Sequence, residues 1–543
     1  MNKIKEKDEG LKLQIGKEQI VHMKVAAQIV QHLSKGIYSN PANCIKELIN
    51  NSFDADASKV IIRAKPEFDT FSITDDGEGM NYTDFNNKFL WISRSDKRDK
   101  REETKRFKRP IIGKIGIGFI SVSEICEKMI VISSKKGEKF KFQAEIDFGK
   151  FKKTIHKKEN FYELSEVKLT NLKEKENACY TIILLSELTK DFKELLEDKD
   201  IHEAGIKIAT FDGKRFEKIT EEIKRRQLDS SKDIGAYWQL MLGVANTIPV
   251  PYLNEGPIKV KNVNWFKKEL KLVNDLKNSI EKLQFLVDFD GVIIKKPIFL
   301  PVEEDMFENK ESYNIYSFKE EFTDFSDGSK LKFRGYIYNQ ERQILPPQLR
   351  GIVIRIKNTS IGGPDPDFLG YPYAEKLFLP WVFGEIYIDE GLEEAMNINR
   401  STFTITHPHF RKLKNFLHAK LHTEVFPRCR TRYVERKEDR EISEKKVREK
   451  NIKEHLKDVF NKSFKIKSLE KSGKFPVDID TKKKEVLIFK GHPVFKKKKK
   501  KEKDLLEEML ILFETSYHSA GGDLDKMKQY FINSLNKLTN LKK

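Results

Sequence analysis

The chain has 543 residues, too many for one ordinary hydrophobic core, so length alone predicts roughly three or four domains. Hydrophobic residues make up 38%, aromatic residues 11% and charged residues 34%, a balance that excludes wholesale disorder and predicts a soluble globular protein. Lys and Arg outnumber Asp and Glu by 103 to 84, and the resulting +19 favours acidic partners such as nucleic acid, nucleotides or anionic membrane.

In chain order, residues 1–20 form a charged tail without the apolar core of a signal peptide, and no later stretch approaches the roughly 18 apolar residues that span a bilayer. Residues 21–35 (VHMKVAAQIVQHLSK) show helical apolar spacing, and a second helix runs through CIKELINNSFDADA. Two strand-like runs, KVIIRAK and DTFSITDDG, follow, the second stopping at a carboxylate- and glycine-rich turn. From Trp91 to Pro110 the sequence is polar and basic, and IIGKIGIGFISVSEI is glycine-rich before turning helical; together they predict a loop or lid closed by a helix start. Strands MIVISSKK, KFKFQAEID and CYTIILLSEL complete an α+β domain over 21–228, with helices covering a mixed sheet.

A second α/β unit over 229–425 contains FLVDFDGVIIKK, LKFRGYIYN, RGIVIRIKN and WVFGEIYIDE, closing with a helix around HFRKLKNFLHAKLH. The region 426–543 is charged and mostly helical, with one short strand, VLIFKG, and amphipathic helices at DLLEEMLILFETSYH and MKQYFINSLNKL. The surplus positive charge is spread along the chain, with one dense run from Lys496 to Lys501. Cys44, Cys126, Cys179 and Cys429 are far apart and form no CxxC pair, so neither a zinc site nor a disulfide framework is indicated and a reducing, cytoplasmic setting is expected.

Three motifs carry chemistry. In KELINNSFDADA, Glu47, Asn51 and Asp54 lie at i, i+4 and i+7 and share one helix face. A carboxylate there suits general-base activation of water, and an amide oxygen one turn away suits a Mg²⁺ ion that also takes phosphates; a solvated polar face is the alternative. In TDDGEGM, Asp75 ends a strand and Gly77 and Gly79 let the backbone turn beside a planar ligand, with Met80 closing the motif; a plain turn or calcium-loop fragment would look similar. In GKIGIGF, Gly113, Gly116 and Gly118 precede a helix, where bare N–H groups can cradle phosphates. Each motif alone is weak, and their joint order is specific.

In that order the trio resembles the Bergerat-fold GHKL ATPases, which include the ninety-kilodalton heat-shock chaperones, MutL mismatch-repair proteins, type II topoisomerases, microrchidia (MORC) proteins and histidine kinases. The resemblance implies that Glu47 activates the attacking water, Asn51 binds Mg²⁺, Asp75 reads the adenine of ATP and Asp54 is a further polar pocket residue. CYTIILL resembles the family's closing strand, which nominates Thr181, although Tyr180 stands where a glycine is usual. Ser95 and Lys97 are candidate phosphate contacts in the lid. Only 46 residues precede Glu47, which leaves little room for a histidine kinase's phosphoacceptor helices.

GEIYIDEGLEEAMNINRSTF resembles the chaperones' middle-domain segment, which implies that Arg400 reaches the γ-phosphate, with a structural salt bridge as the alternative. RGIVIRIKNTSIGGPDP resembles a transducer strand and loop. The expectation is therefore a Bergerat-fold sandwich, a transducer or middle domain and a helical C-terminal region, working as a Mg²⁺-dependent, homodimeric ATPase clamp of the chaperone type. A MORC- or MutL-like nucleotide-switched DNA-binding clamp, in genome maintenance or prokaryotic defence, is the alternative. Nothing after about residue 430 resembles a chaperone dimerisation domain or a MutL endonuclease domain, so the macromolecular client, protein or nucleic acid, stays open.

Overall fold

The structure, a computed structural model, describes residues 40–90, 103–113, 120–149, 167–199, 216–221, 223, 235–254, 256–297, 310–345, 347–397, 400–496 and 498–540. The chain divides into two compact units, Met1–Cys429 and Arg430–Lys543. It is α+β throughout, and no described helix is long and apolar enough to cross a membrane.

Helix α1 (Pro41–Asp54) starts at Asn40, whose side chain accepts the Ala42 N–H, and Pro41 pre-sets the first helical turn. Its apolar face, Cys44, Ile45, Leu48, Ile49 and Phe53, is fully buried. The strands that follow are β1 (Lys59–Lys65), β2 (Thr70–Asp75), β3 (Cys126–Ser134), β4 (Phe140–Asp147), β5 (Val167–Lys173) and β6 (Tyr180–Leu188). After helices α2 (Lys190–Glu197), α3 (Ala236–Thr247) and α4 (Lys267–Glu281) come the short strands β7 (Leu286–Phe289) and β8 (Val292–Ile294). These build one eight-stranded sheet in the order β5-β4-β3-β6-β2-β1-β7-β8. It is mixed: β1 and β7 run parallel and the other neighbours antiparallel. α1 packs against α3, and both contribute to the core beneath the sheet.

The boundary expected at 228/229 coincides with no break in this sheet. Residues 286–294 extend it past β1, and α3 and α4 belong to the same core. The physical reason is that β1, with Val60, Ile62 and Ala64 buried on one face, would otherwise be an open edge, and β7 covers it.

The second sheet is formed by β9 (Tyr313–Phe322), β10 (Leu331–Gln340), β11 (Gly351–Ile356), β12 (Thr359–Ser360) and β13 (Val382–Glu390), in the order β12-β11-β13-β10-β9. One face, with Tyr313, Tyr336, Tyr338, Val353 and Tyr387, joins the core of the first sheet. The other, with Phe333, Ile337, Ile352, Ile354 and Ile386, is covered by helix α5 (Pro408–Lys420) through Leu413 and Leu417. Burial on both faces explains why GIVIRI and VFGEIYI read as near-continuous apolar runs. The two charges within them are paired: fully buried Arg355 donates to Glu385 Oε1 from Nε (2.7 Å), with Nη2 at 2.6 Å, and also donates to the Asn246 carbonyl at the end of α3 (2.9 Å). Tyr252 and Tyr336 donate to Glu385 Oε2, both at 2.5 Å.

The second unit holds most of helix α6 (Phe426–Phe460), then β14 (Lys465–Leu469), β15 (Val477–Asp480) and β16 (Glu485–Phe489), and ends in α7 (Lys500–Ala520) and α8 (Leu524–Asn540). A three-stranded sheet, β14-β16-β15, stands where one strand was expected. Its core is small: Leu456, Phe464, Val477, Ile479, Val486, Ile488, Phe495 and Ile511. Surplus charge is concentrated here rather than spread along the chain. Residues 430–543 contain 32 Lys and Arg against 19 Asp and Glu, an excess of 13 out of the chain's +19.

Candidate functional site

The site lies between α1 and the strands β2, β6 and β3. Glu47 is 8% exposed in its side chain, and its Oε1 is buried without a hydrogen-bond partner among the described residues. Its Oε2 lies 3.7 Å from Nη1 of Arg400, itself 5% exposed. Arg400 thus comes to the helix of Glu47, as an arm from the loop after β13. Its backbone is left-handed (φ +50°), a conformation that costs an L-residue roughly 1–2 kcal/mol. Hydrogen bonds hold that shape: the Arg400 N–H donates to Asn397 O and Gly362 N–H to Arg400 O, and the Asn397 side chain is tied to Thr402 and Thr404.

Two neighbours on α1 escaped the sequence reading. Lys46 is fully buried and donates to Ser360 O on β12 (3.2 Å). Burial pulls its ammonium down to about 8; Glu47 opposes the fall and Arg400 adds to it. Asn50, one turn on, is buried with neither amide atom hydrogen-bonded among the described residues. Asn51 is half-buried on the same helix. A lysine and a second asparagine beside an ExxxN helix face were legible as residue types, but only their burial makes them notable.

Asp54 does not point into an open pocket alone. Its two carboxylate oxygens accept the backbone N–H groups of Ile112 and Gly113, both at 2.8 Å, and so fix the start of the glycine-rich loop. Gly116 and Gly118, with Ser95 and Lys97, lie outside the described residues. The end of the expected lid is anchored to the body: Arg109 is fully buried and donates to the carbonyls of Leu283 (2.7 Å), Ala57 (2.6 Å) and Gln284 (2.9 Å). Asp56 accepts Arg106 N–H and Phe107 N–H at 2.5 and 3.2 Å. A basic string that reads as solvated is here tied down by one buried arginine.

Asp75 is 6% exposed, accepts Ser52 Oγ–H (2.8 Å) and Gly77 N–H (3.0 Å), and is pushed up to about 6 by burial against the pull of those two bonds. Strand register sets Asp75 opposite Thr181 on β6, and Thr181 opposite Ser133 on β3, so the three form a row on one sheet face. Ser133 Oγ lies 3.0 Å from Thr181 Oγ1, donates to Tyr180 O and accepts Met80 N–H (2.8 Å). Ser133 and Ser52 are site residues that only cross-strand register and helix packing reveal. Gly77 and Gly79 are required by space: a Cβ on Gly77 would sit 2.7 Å from Ala55 O, and on Gly79, at φ +62°, 1.9 Å from Ser134 O. Met80 is half-buried against the core.

A basic side chain from the second sheet also reaches this region. Lys357, in the tight β11–β12 turn, donates to Ile111 O (2.9 Å) and lies 3.2 Å from Glu393 on the Arg400 loop.

This geometry agrees with the comparison to known families. Residues 38–181 match the family described as histidine kinase-, DNA gyrase B- and HSP90-like ATPases. Over these residues the chain is similar to a GHKL-type ATPase domain. The match ends on Thr181, the residue opposite Asp75, so the GHKL segment includes the whole Asp75–Thr181–Ser133 row and α1. Among curated proteins, a candidate type II restriction enzyme, HgiDII of Herpetosiphon aurantiacus, is 35% identical over 108 residues, 20% of this chain and 17% of that protein. The chaperone HtpG of Sulfurovum sp. (strain NBC37-1) is 29% identical over 141 residues, 22% of this chain and 23% of its own length. HtpG of Rhodococcus jostii is 26% identical over 144 residues, covering 22% of each chain. The chain thus spans about a fifth of the length of the curated relatives it matches. A solved structure described as the N-terminal domain of a DNA repair protein superposes at a TM-score of 0.37 with 11% identity, over 72% of this chain and 96% of that one.

The residues present fit a Mg²⁺-nucleotide. The orphaned Glu47 Oε1 and the half-buried Asn51 share the helix that Asp54 ties to the phosphate-type loop. Mg²⁺ is commonly held by one or two protein ligands plus substrate phosphates, a role open to the half-buried Asn51 amide.

Proposed function

We propose that this protein binds ATP with Mg²⁺ at the α1 site and hydrolyses it, with Glu47 as general base and Arg400 as the activating arm. The observation that carries this reading is the convergence of a buried carboxylate, one oxygen unpartnered, with a guanidinium delivered from another sheet. Glu47 Oε1 takes the proton of the attacking water. The amide oxygen of Asn51 is the protein's ligand to the ion, and Asp75, with Thr181 and Ser133 in its row, accepts the adenine amino group. Asp54 holds the entry to the glycine loop in register with α1. Bound Mg²⁺-ATP supplies the phosphorus centre and neutralises its charge. Arg400 adds positive charge where negative charge develops.

Glu47→Ala should lower ATP turnover about 10²–10⁴-fold with nucleotide binding retained, as read by equilibrium binding beside steady-state hydrolysis. Arg400→Ala should slow turnover by up to roughly 10³–10⁵-fold, the range of arginine fingers. Unchanged turnover in Glu47→Ala rejects the base, and unchanged turnover in Arg400→Ala assigns that arginine to a structural ion pair.

The HtpG similarity supports a chaperone-like, homodimeric clamp whose closure acts on a macromolecular client in the cytoplasm. The HgiDII similarity favours a second reading, a nucleotide-switched DNA-binding clamp in genome maintenance or prokaryotic defence.

A further inference from the structure

We propose that one end of the second unit's three-stranded sheet binds the phosphate backbone of a nucleic acid. β14 and β16 run parallel and β15 antiparallel to β16, so the C-terminal ends of β14 and β16 and the start of β15 lie together. The connection from β14 to β15 and the connection from β16 to α7 therefore share that end. They touch at the backbone: a Cβ on Gly491 would lie 2.7 Å from Glu470 O and 2.9 Å from Ser472 N, and Lys490 N–H donates to Leu469 O (2.8 Å). The first connection carries exposed Lys471 and Lys474, and the second carries exposed Lys496, Lys498 and Lys499. Topology thus joins two lysine groups that lie about twenty-five residues apart in sequence.

These five lysines have no carboxylate within ion-pair distance among the described residues. The nearby carboxylates are mostly engaged: Glu507 takes Lys490, and Glu502 accepts the Lys499 N–H at the start of α7. Glu470 is the exposed exception in the first connection. Phe475, 55% exposed, stands beside Lys474, whose Nζ is 5.6 Å from the ring centre, and it offers an aromatic face to an unpaired base. Lysines without a carboxylate partner have no ion pair to break before they meet phosphates, and their binding releases the counterions condensed on the nucleic acid, which is the chemistry of backbone recognition. The setting reinforces this, because 13 of the chain's 19 excess positive charges fall in this unit. The assignment rests on the nucleic-acid reading of the client and not on ATP hydrolysis.

The test uses the full chain and fluorescently labelled DNA, single-stranded and duplex, of one length, with affinity measured from low to moderate salt. At least one form should bind, with log affinity falling steeply against log salt. The variant K471A/K474A/K496A/K498A should weaken binding at low salt by at least about tenfold and flatten the slope by about 3–4, near one unit per lost phosphate contact. Its ATP turnover and melting temperature should match those of the parent chain. Phe475→Ala weakening the single strand and not the duplex assigns an unpaired base to that ring. No binding of either form at low salt overturns the nucleic-acid reading itself. Binding that survives unchanged in the quadruple variant overturns this site while leaving that reading intact. Polyglutamate binding as tightly as DNA replaces the nucleic acid with an acidic protein.

Discussion

Asp75 shows how far a single residue's environment governs both binding and stability. Burial raises its carboxyl to about 6 from 3.8, with the Ser52 hydroxyl and Gly77 N–H opposing the rise. The folded protein therefore holds this proton more tightly than the unfolded chain. The cost of burying the ionised form is present above about pH 6 and is relieved as pH falls from there towards 4. The ionised carboxylate is the stronger acceptor for an adenine amino group, so if Asp75 reads adenine, ATP affinity should fall by up to about tenfold per pH unit below that value while the nucleotide-free protein gains stability over the same window. Asp75→Asn should raise the melting temperature of the nucleotide-free protein at pH 8, flatten its pH dependence between 4 and 6, and abolish adenine-dependent binding. A parallel loss of stability and binding at pH 8 would show that Asp75 is a structural acid. At this scale the sequence was informative about residue types and silent about partners. The shared helix face of Glu47, Asn51 and Asp54 follows from helical spacing, whereas Ser52 and Ser133 become site residues only through contacts 23 and 48 positions away.

At the scale of elements, the turn after β2 is fixed from three sides. Glu78 N–H donates to Ala55 O (2.7 Å), the Cys179 thiol to Gly77 O (2.9 Å) and Met80 N–H to Ser133 Oγ (2.8 Å). Gly79 is the position with no alternative, since a Cβ there would meet Ser134 O at 1.9 Å on a left-handed backbone. Gly79→Ala should cost more than about 2 kcal/mol, the left-handed penalty plus the shift of β3 it forces. Thermal melting should drop by several degrees and ATP affinity with it; an unchanged melting point would mean the turn is free to move. The glycine string was readable because DxGxG after an alternating strand is a local pattern. Edge strands were not: β5 (VKLTNLK) is exposed along nearly its whole length and its three apolar residues keep no sustained alternation, and it exists because β4 offers it a hydrogen-bonding edge. The anchoring role of Arg109 was hidden for a related reason. Arg109 looks like one more solvated cation until its three carbonyl partners from separate segments are known.

For the whole molecule, the division of labour differs from a simple string of domains. The first sheet recruits β7 and β8 from beyond the expected boundary, and the second sheet buries one face in the same core, so Arg400 and Lys357 reach the α1 site from a body continuous with it. Length and composition could not reveal this, because nothing local in FLVDFDGVIIKK says which sheet it joins. The apolar residues of α7 divide between two faces. Leu506, Leu510 and Ile511 of α7 close the second unit's own core, whereas Leu505, Met509 and Tyr517 stay 54%, 39% and 55% exposed on a stripe whose Phe513 meets Phe531 of α8 edge-on. Such a stripe is expensive to leave in water at about 25 cal/mol per Å², and a homodimeric clamp would cover it. Because one face of α7 is structural, removing the helix would unfold the unit and settle nothing. Leu505→Glu with Met509→Glu instead touches the outer stripe alone. The paired change should convert a sedimenting dimer to a monomer with the melting temperature preserved and turnover per site reduced if closure needs two copies. A parent chain that sediments as a monomer with nucleotide bound, or a dimer unaffected by the two charges, would remove α7 from the dimer interface.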